Sequence, residues 1–258
     1  MEQPAGPKNY GILVACMPKS GSTFLSTMVA SVPGFRKEKA VPSYRRREQE
    51  LVEKELREAF DTTRILRQAI RRSDLLKQIP SPRGFVFQHH VKHNYETQNL
   101  IDQFGIVPVV LVRNLFDVVY SLRDHFAKES VFTPAAYVTE EMAQWEDTKM
   151  HAFIVDMAIP WYIHFYVSWY LSDEKLMLRY EDLVQDPAAV LKQVLDYSEV
   201  RAGPPAIKAA VEMAGASATR KNVGVAGRGE GLDEALKDKV RNMCAYYPDI
   251  DFSPIGIG

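Results

Sequence analysis

The chain has 258 residues, long enough for one large α/β domain with a sizeable core. Its residues are 46% apolar and 25% charged, and its formal net charge of -1 excludes a chain built as a whole for nucleic acid or an anionic membrane surface. Cys16 and Cys244 are the only cysteines and form no CxxC pair, which argues against a disulfide framework or cysteine zinc site and fits a reducing, cytoplasmic setting.

The chain opens on MEQPAGPKNY, a polar stretch without a signal-peptide layout, and no later stretch approaches the ~18 apolar residues of a membrane span. Gly11 to Thr27 reads GILVACMPKSGSTFLST. The apolar run Ile12 to Met17 is too short for a helix and predicts a strand buried on both faces. Phe24, Leu25, Met28 and Val29 are spaced as the inner stripe of a helix behind it. Strand, small-residue turn and helix in that order make an anion cradle. Amides at the helix start point at the ligand, and the helix dipole favours negative charge. Lys19, Ser20, Ser22 and Thr23 bring one cation and three hydroxyls to it.

Val32-Pro33-Gly34-Phe35 predicts a turn, and a charged stretch runs from Arg36 to about Gln78. Within it, Val52, Leu56, Ala59, Phe60, Leu66, Ala69 and Ile70 recur at helical steps. They predict one amphipathic helix or two, with a break at Asp61-Thr62-Thr63. Arg45-Arg46-Arg47 reads as a solvated face. Phe85 to His90 is a short strand after the turn cluster Pro80 to Gly84. Asn94 to Phe104 reads as a helix stopped by Gly105. Ile106 to Val112 is a second fully apolar strand with Arg113 at its carboxyl end. Asn114 then caps a helix, Asp117 is its capping-box-like partner, and Leu115, Val118, Val119 and Leu122 form the buried stripe.

Thr139 to Leu171 has a helical pattern whose aromatic second half, from Ile159, reads as a core helix on the sheet. Lys175 to Leu178 is a short strand, and Asp186-Pro187 opens the next helix. Gly224, Gly227, Gly229 and Gly231 mark a loop, with a helix from Asp233. Strands alternating with helices imply a parallel sheet with ligands outside the strands' carboxyl ends. The Lys19 turn, His89-His90, Arg113 and Arg179-Tyr180 should meet there.

Four blocks carry a family resemblance. Pro18 to Phe24, PKSGSTF, resembles the 5′-phosphosulfate loop of sulfotransferases. Val109 to Leu122 resembles their 3′-phosphate motif, with Arg113 and Ser121 in the places of its Arg and Ser. LRYEDL at Leu178 to Leu183, followed by Asp186-Pro187, is similar to a third block. Arg220 to Gly229 is similar to the late glycine-rich loop that closes over the nucleotide.

The resemblance implies a three-layer P-loop-type α/β fold with a mainly parallel sheet of about five strands. It implies one sulfotransferase domain over 1–258. The core blocks lie near 10–30, 84–125, 175–196 and 217–232, and acceptor-pocket or lid helices near 36–80 and 126–160. It also implies 3′-phosphoadenosine 5′-phosphosulfate (PAPS) as donor, adenosine 3′,5′-bisphosphate (PAP) as product and no metal.

By the same resemblance, Lys19, Ser20, Gly21, Ser22, Thr23 and Phe24 hold the 5′ end, and Lys19 also stabilises charge on the bridging oxygen as the sulfuryl group leaves. Arg113 grips the 3′-phosphate and Ser121 adds a hydroxyl. Tyr180 meets the adenine edge. Arg220 and Lys221 match a basic pair, and Asn222 replaces a glycine common in the animal cytosolic branch. A general base is needed at the acceptor. Strand alternation puts Gln88 and His90 on one face and Phe87 and His89 on the other. The register sets Gln88 where the family has a lysine and His90 at the base, with His89 the second candidate. A metal site at His89, His90, His93 and Glu96 is disfavoured, because adjacent strand residues diverge.

Two other classes compete. A P-loop kinase would carry the full G-x-x-x-x-G-K-[ST] pattern and a metal-binding Asp at a strand end, and neither is present. A non-catalytic binding module has no need of Lys19, a strand-end His, Arg113 and Ser121 together. The expected acceptor is a small-molecule, lipid or glycan hydroxyl or amine, with a small-metabolite tailoring role favoured.

Overall fold

The structure is a computed structural model, and it describes residues 10–40, 50–72, 82–217 and 226–258. Five strands form one parallel sheet in the order β2-β3-β1-β4-β5. They are β1 (Tyr10–Cys16), β2 (Phe35–Lys37), β3 (Gly84–His89), β4 (Ile106–Val112) and β5 (Leu176–Arg179). β1 lies at the centre, with Ala15 paired to His89 on one side and to Val110 on the other. Ile12 to Met17 are all fully buried, as a strand covered on both faces requires.

The alternating side chains of β1 feed two cores. Ile12, Val14 and Cys16 pack with α1 (Ser22–Ser31), α8 (Pro187–Tyr197) and α9 (Pro204–Ser217). Leu13, Ala15 and Met17 pack on the other face with α2 (Glu53–Arg72), α3 (Tyr95–Phe104), α4 (Leu115–Lys128) and α6 (Ile159–Tyr170). The result is three layers, helix-sheet-helix, as expected for this α/β class. Trp169, Tyr162, Tyr166 and Phe165 of α6 are fully buried, so its aromatic run is core. Its polar tips end on main-chain carbonyls: Trp169 Nε1 donates to Val91 at 2.8 Å and Tyr166 Oη to Asp251 at 2.6 Å.

Several elements differ from the sequence reading. β2 falls where a turn and the start of a charged stretch were expected; only Phe35 of its three residues is apolar, too little for a pattern. α2 runs unbroken through Asp61-Thr62-Thr63. Thr63 is buried, its hydroxyl bonds back to the Ala59 carbonyl, and Arg36 reaches across from β2 to both. The 139–171 stretch is broken up: a 3-10 turn at Met142–Gln144, α5 (Asp147–Phe153), a π-helical segment at Ile154–Ala158 and then α6. Pro160, which has no amide to give the helix, follows directly on the π-helical segment. β5 is shifted one residue late, to Leu176–Arg179, and Tyr180 opens α7 (Tyr180–Gln185). The helix expected from Asp233 is α10 (Glu234–Cys244), and Asp233 is its cap.

Candidate active site

The turn after β1 is held with its carbonyls turned inward. Cys16 O accepts from His90 Nδ1 at 2.8 Å, and Met17 O from the Ser20 hydroxyl at 2.7 Å. Pro18 O accepts from Tyr162 Oη at 3.3 Å, Lys19 O from Arg113 at 2.8 Å. Gly21 O accepts the Phe24 and Leu25 amides at 3.0 and 3.1 Å. Among the described residues no acceptor meets the amides of Ser22 and Thr23, and the first turn of α1 carries no acidic residue. The free amides and the positive end of the helix dipole therefore face the same opening.

Two residues adopt left-handed backbone there: Gly21 at φ 83° and Lys19 at φ 65°. Gly21 is needed twice over, because a Cβ would also lie 3.0 Å from the Tyr180 ring. Lys19 has no such licence; a side chain in this region costs about 1–2 kcal/mol, which the clamped carbonyls on either side hold in place.

The predicted cradle residues do different jobs. Ser20 is fully buried and its hydroxyl closes the turn from inside, leaving its main chain for a ligand. Ser22 is buried, Phe24 half-buried and Thr23 exposed. The Lys19 ammonium lies 3.2 Å from Glu129 Oε2, which also accepts from His125 Nδ1 at 2.9 Å. Glu129 follows α4 directly and had no place in the sequence reading.

Arg113 is 3% exposed at the end of β4. Its guanidinium stacks over the Tyr180 ring, 4.1 Å from the centroid, and approaches Asp117 at 3.9 Å. Its Nε is buried and meets no hydrogen-bond partner among the described residues. Burial pushes its pKa down against the support of Tyr180, Asp117 and Glu181. A buried, under-satisfied guanidinium beside a helix start is suited to an anion. Ser121 is buried on α4, one turn beyond Asp117 on the same stripe.

Asp117 does not complete a capping box. Asn114 Oδ1 accepts the Phe116 and Asp117 amides, but the Asp117 carboxylate reaches away to the amides of Gly227 at 2.9 Å and Gly229 at 2.6 Å. It thereby fixes the end of the glycine loop on α4. Arg228, between those glycines, pairs with Asp124 at 2.7 Å. Arg220, Lys221 and Asn222 lie outside the described residues.

The three histidines at the end of β3 and just beyond it diverge. His89 is 1% exposed on the α2 face, with its Nε2 2.8 Å from the Glu50 carbonyl. Burial drives its pKa down to about 4. His90 is on the opposite face, partly buried; burial opposes its charged form, but the Cys16 sulfur at 3.4 Å and carbonyl at 2.8 Å outweigh that and raise its pKa. His93 Nε2 lies 2.8 Å from Gln98 Oε1. Gln88 accepts from Ser26 at 3.0 Å and so ties β3 to α1. Among the described residues no three His, Cys, Asp or Glu side chains group as a metal site.

Sequence reasoning missed Glu129, Tyr162 and Cys16 as supports of the site. Tyr162 was legible only as core, and Glu129 sits in a stretch that matches no motif.

Solved structures share this architecture. The mouse sulfotransferase SULT7A1, complexed with PAP, aligns at TM-score 0.61 and 14% identity over 95% of this chain and 86% of that one. A retinol dehydratase in complex with androsterone and inactive cofactor PAP aligns at 0.54 and 14%, covering 96% and 83%. Sulfotransferase STF9 from Mycobacterium avium aligns at 0.52 and 13%, covering 96% and 78%. At these identities the likeness is one of fold. No curated protein sequence matches the chain. The family model of the sulfotransferase domain matches residues 10–226, and the chain belongs to the sulfotransferase family.

Proposed function

We propose that the protein moves a sulfuryl group from PAPS to a hydroxyl or amine of a small-molecule, lipid or glycan acceptor. The observation that carries this reading is a pair of anion sites side by side. One is the amide cradle with Lys19; the other is the buried Arg113, whose Nε has no partner among the described residues and whose guanidinium donates to the Lys19 carbonyl at 2.8 Å. A nucleotide with anionic groups at both its 5′ and 3′ ends needs two such sites, and ordinary ATP chemistry needs only the first.

The residues present fit that donor. The Ser22 and Thr23 amides and Lys19 bind the 5′ end; Arg113, with Ser121 on the adjoining stripe, binds the 3′-phosphate. Tyr180 stands under the Arg113 guanidinium at the adenine side. The donor supplies the sulfuryl group, and no metal is required. Lys19 stabilises negative charge at the leaving oxygen. His90 takes the acceptor proton, and His89, committed to the Glu50 carbonyl, is the weaker candidate. The whole chain acts as one domain, with acceptor contacts drawn from 36–80 and 126–160. Among the described residues no helix is long and apolar enough to cross a membrane.

Thermal melting with nucleotides tests the donor. PAP without Mg²⁺, at a hundred times its Kd, is expected to stabilise by about 2.7 kcal/mol, or about 5–10 °C at this size. Protection by ATP with Mg²⁺ and none by PAP would overturn the reading.

A further inference from the structure

The cation proposed to meet the leaving group does not stand alone. Lys19 Nζ is 3.2 Å from Glu129 Oε2, with the lysine side chain 11% and the glutamate 35% exposed. An ammonium so little exposed is costly to leave uncompensated, and the carboxylate compensates it. The same carboxylate oxygen accepts from His125 Nδ1 at 2.9 Å, and the other ring nitrogen of His125 faces the Phe132 carbonyl at 3.4 Å. His125 is on the last turn of α4 and Glu129 is its i+4 neighbour, so the helix end presents both as a unit. Lys19 reaches that unit from a left-handed backbone fixed by the Arg113 bond to its carbonyl.

We propose that Glu129 is a positioning residue that holds Lys19 in competition with the donor, so that the 5′ anion binds by displacing the Glu129 carboxylate from Lys19. The inference rests on the donor reading above. Its physical basis is that one ammonium faces two anions. Glu129 is covalently present, so it opposes donor and product alike by both charge and occupancy of Lys19. Giving Lys19 up does not strand Glu129, because His125 remains on the same oxygen. The exchange therefore trades one ion pair for another rather than breaking one. Ligand affinity is reduced by the share of molecules in which Lys19 is engaged elsewhere. The same competition favours release of the bisphosphate product after transfer.

The test is the affinity of PAP for the full chain by titration calorimetry, in wild type and in Glu129→Gln. The glutamine keeps size and hydrogen bonding but not charge. The expected result is a Kd about three- to tenfold lower, equal to about 0.7–1.4 kcal/mol of competition removed, and a lower donor KM without a rise in kcat. A merely structural Glu129 gives the opposite sign, because losing it would loosen Lys19 and α4 and weaken binding. An unchanged or weaker Kd in the folded variant overturns the proposal. If Glu129→Gln does not fold, Glu129→Asp, one methylene short of Lys19, carries the test with the same expected direction. Failure of wild type to bind PAP at all would instead overturn the donor assignment.

Discussion

His90 is oriented by a group that can only accept. A carbonyl oxygen has no proton to give, so the 2.8 Å contact to Cys16 O puts the hydrogen on Nδ1 and leaves the lone pair of the neutral ring on Nε2. That is the tautomer a general base needs. His90→Ala is expected to lower kcat at least about tenfold with little change in PAP affinity, whereas Lys19→Ala lowers kcat as much and weakens PAP as well. A full kcat in His90→Ala, measured with labelled donor, would move the base elsewhere. The separation of His90 from His89 was legible from strand alternation alone. The Cys16 contact was not, because it joins residues 74 apart in the chain and depends on β1 lying beside β3. Gln88 shows the same limit. Its place on the same strand face as His90 could be read, but its bond to Ser26 of α1 could not.

Helix α4 ties the Gly227–Gly229 end of the late glycine loop to Arg113. Its Asp117 carboxylate takes the Gly227 and Gly229 amides and stands 3.9 Å from Arg113. Gly229 fits only without a side chain, since a Cβ would lie 2.4 Å from Phe116 Cβ and 2.7 Å from the Asp117 amide. Gly229→Ala is therefore expected to push the loop off α4 and weaken PAP at least about tenfold, a loss of about 1.4 kcal/mol or more, while the melting temperature of the unliganded chain falls by only a few degrees. Equal PAP affinity in calorimetry would show that the loop end is not coupled to the nucleotide. Strong periods and caps made most elements readable: β1, β4, and α3 between Asn94 and Gly105, whose side-chain cap and left-handed stop both form. Elements decided by tertiary contacts did not read. α2 continues through Asp61 to Thr63 because buried partners satisfy Thr63, and β2 exists because β3 offers it an edge.

Over the whole molecule, His89 makes folding depend on pH. It is sealed between β3 and the stretch entering α2, bonded to Glu50 O, with a pKa driven by burial from 6.5 to about 4. The unfolded chain takes up a proton at this site below about 6.5, and the folded chain refuses it until about 4. The depressed value therefore contributes stability in full above about pH 6.5, and that stability drains away as pH falls towards 4. The loss from this one group amounts to about 2–3 kcal/mol by pH 4.5. Carboxylates titrate in part of the same window, so the comparison must be between chains. His89→Gln cannot titrate and can still donate to the Glu50 carbonyl. Denaturant melts at pH 7 and pH 4.5 should show the wild type losing about 2–3 kcal/mol more than the variant over that interval. Parallel losses in the two chains would mean that His89 is protonated in the folded state, and that the α2 face is open to water at the strand end.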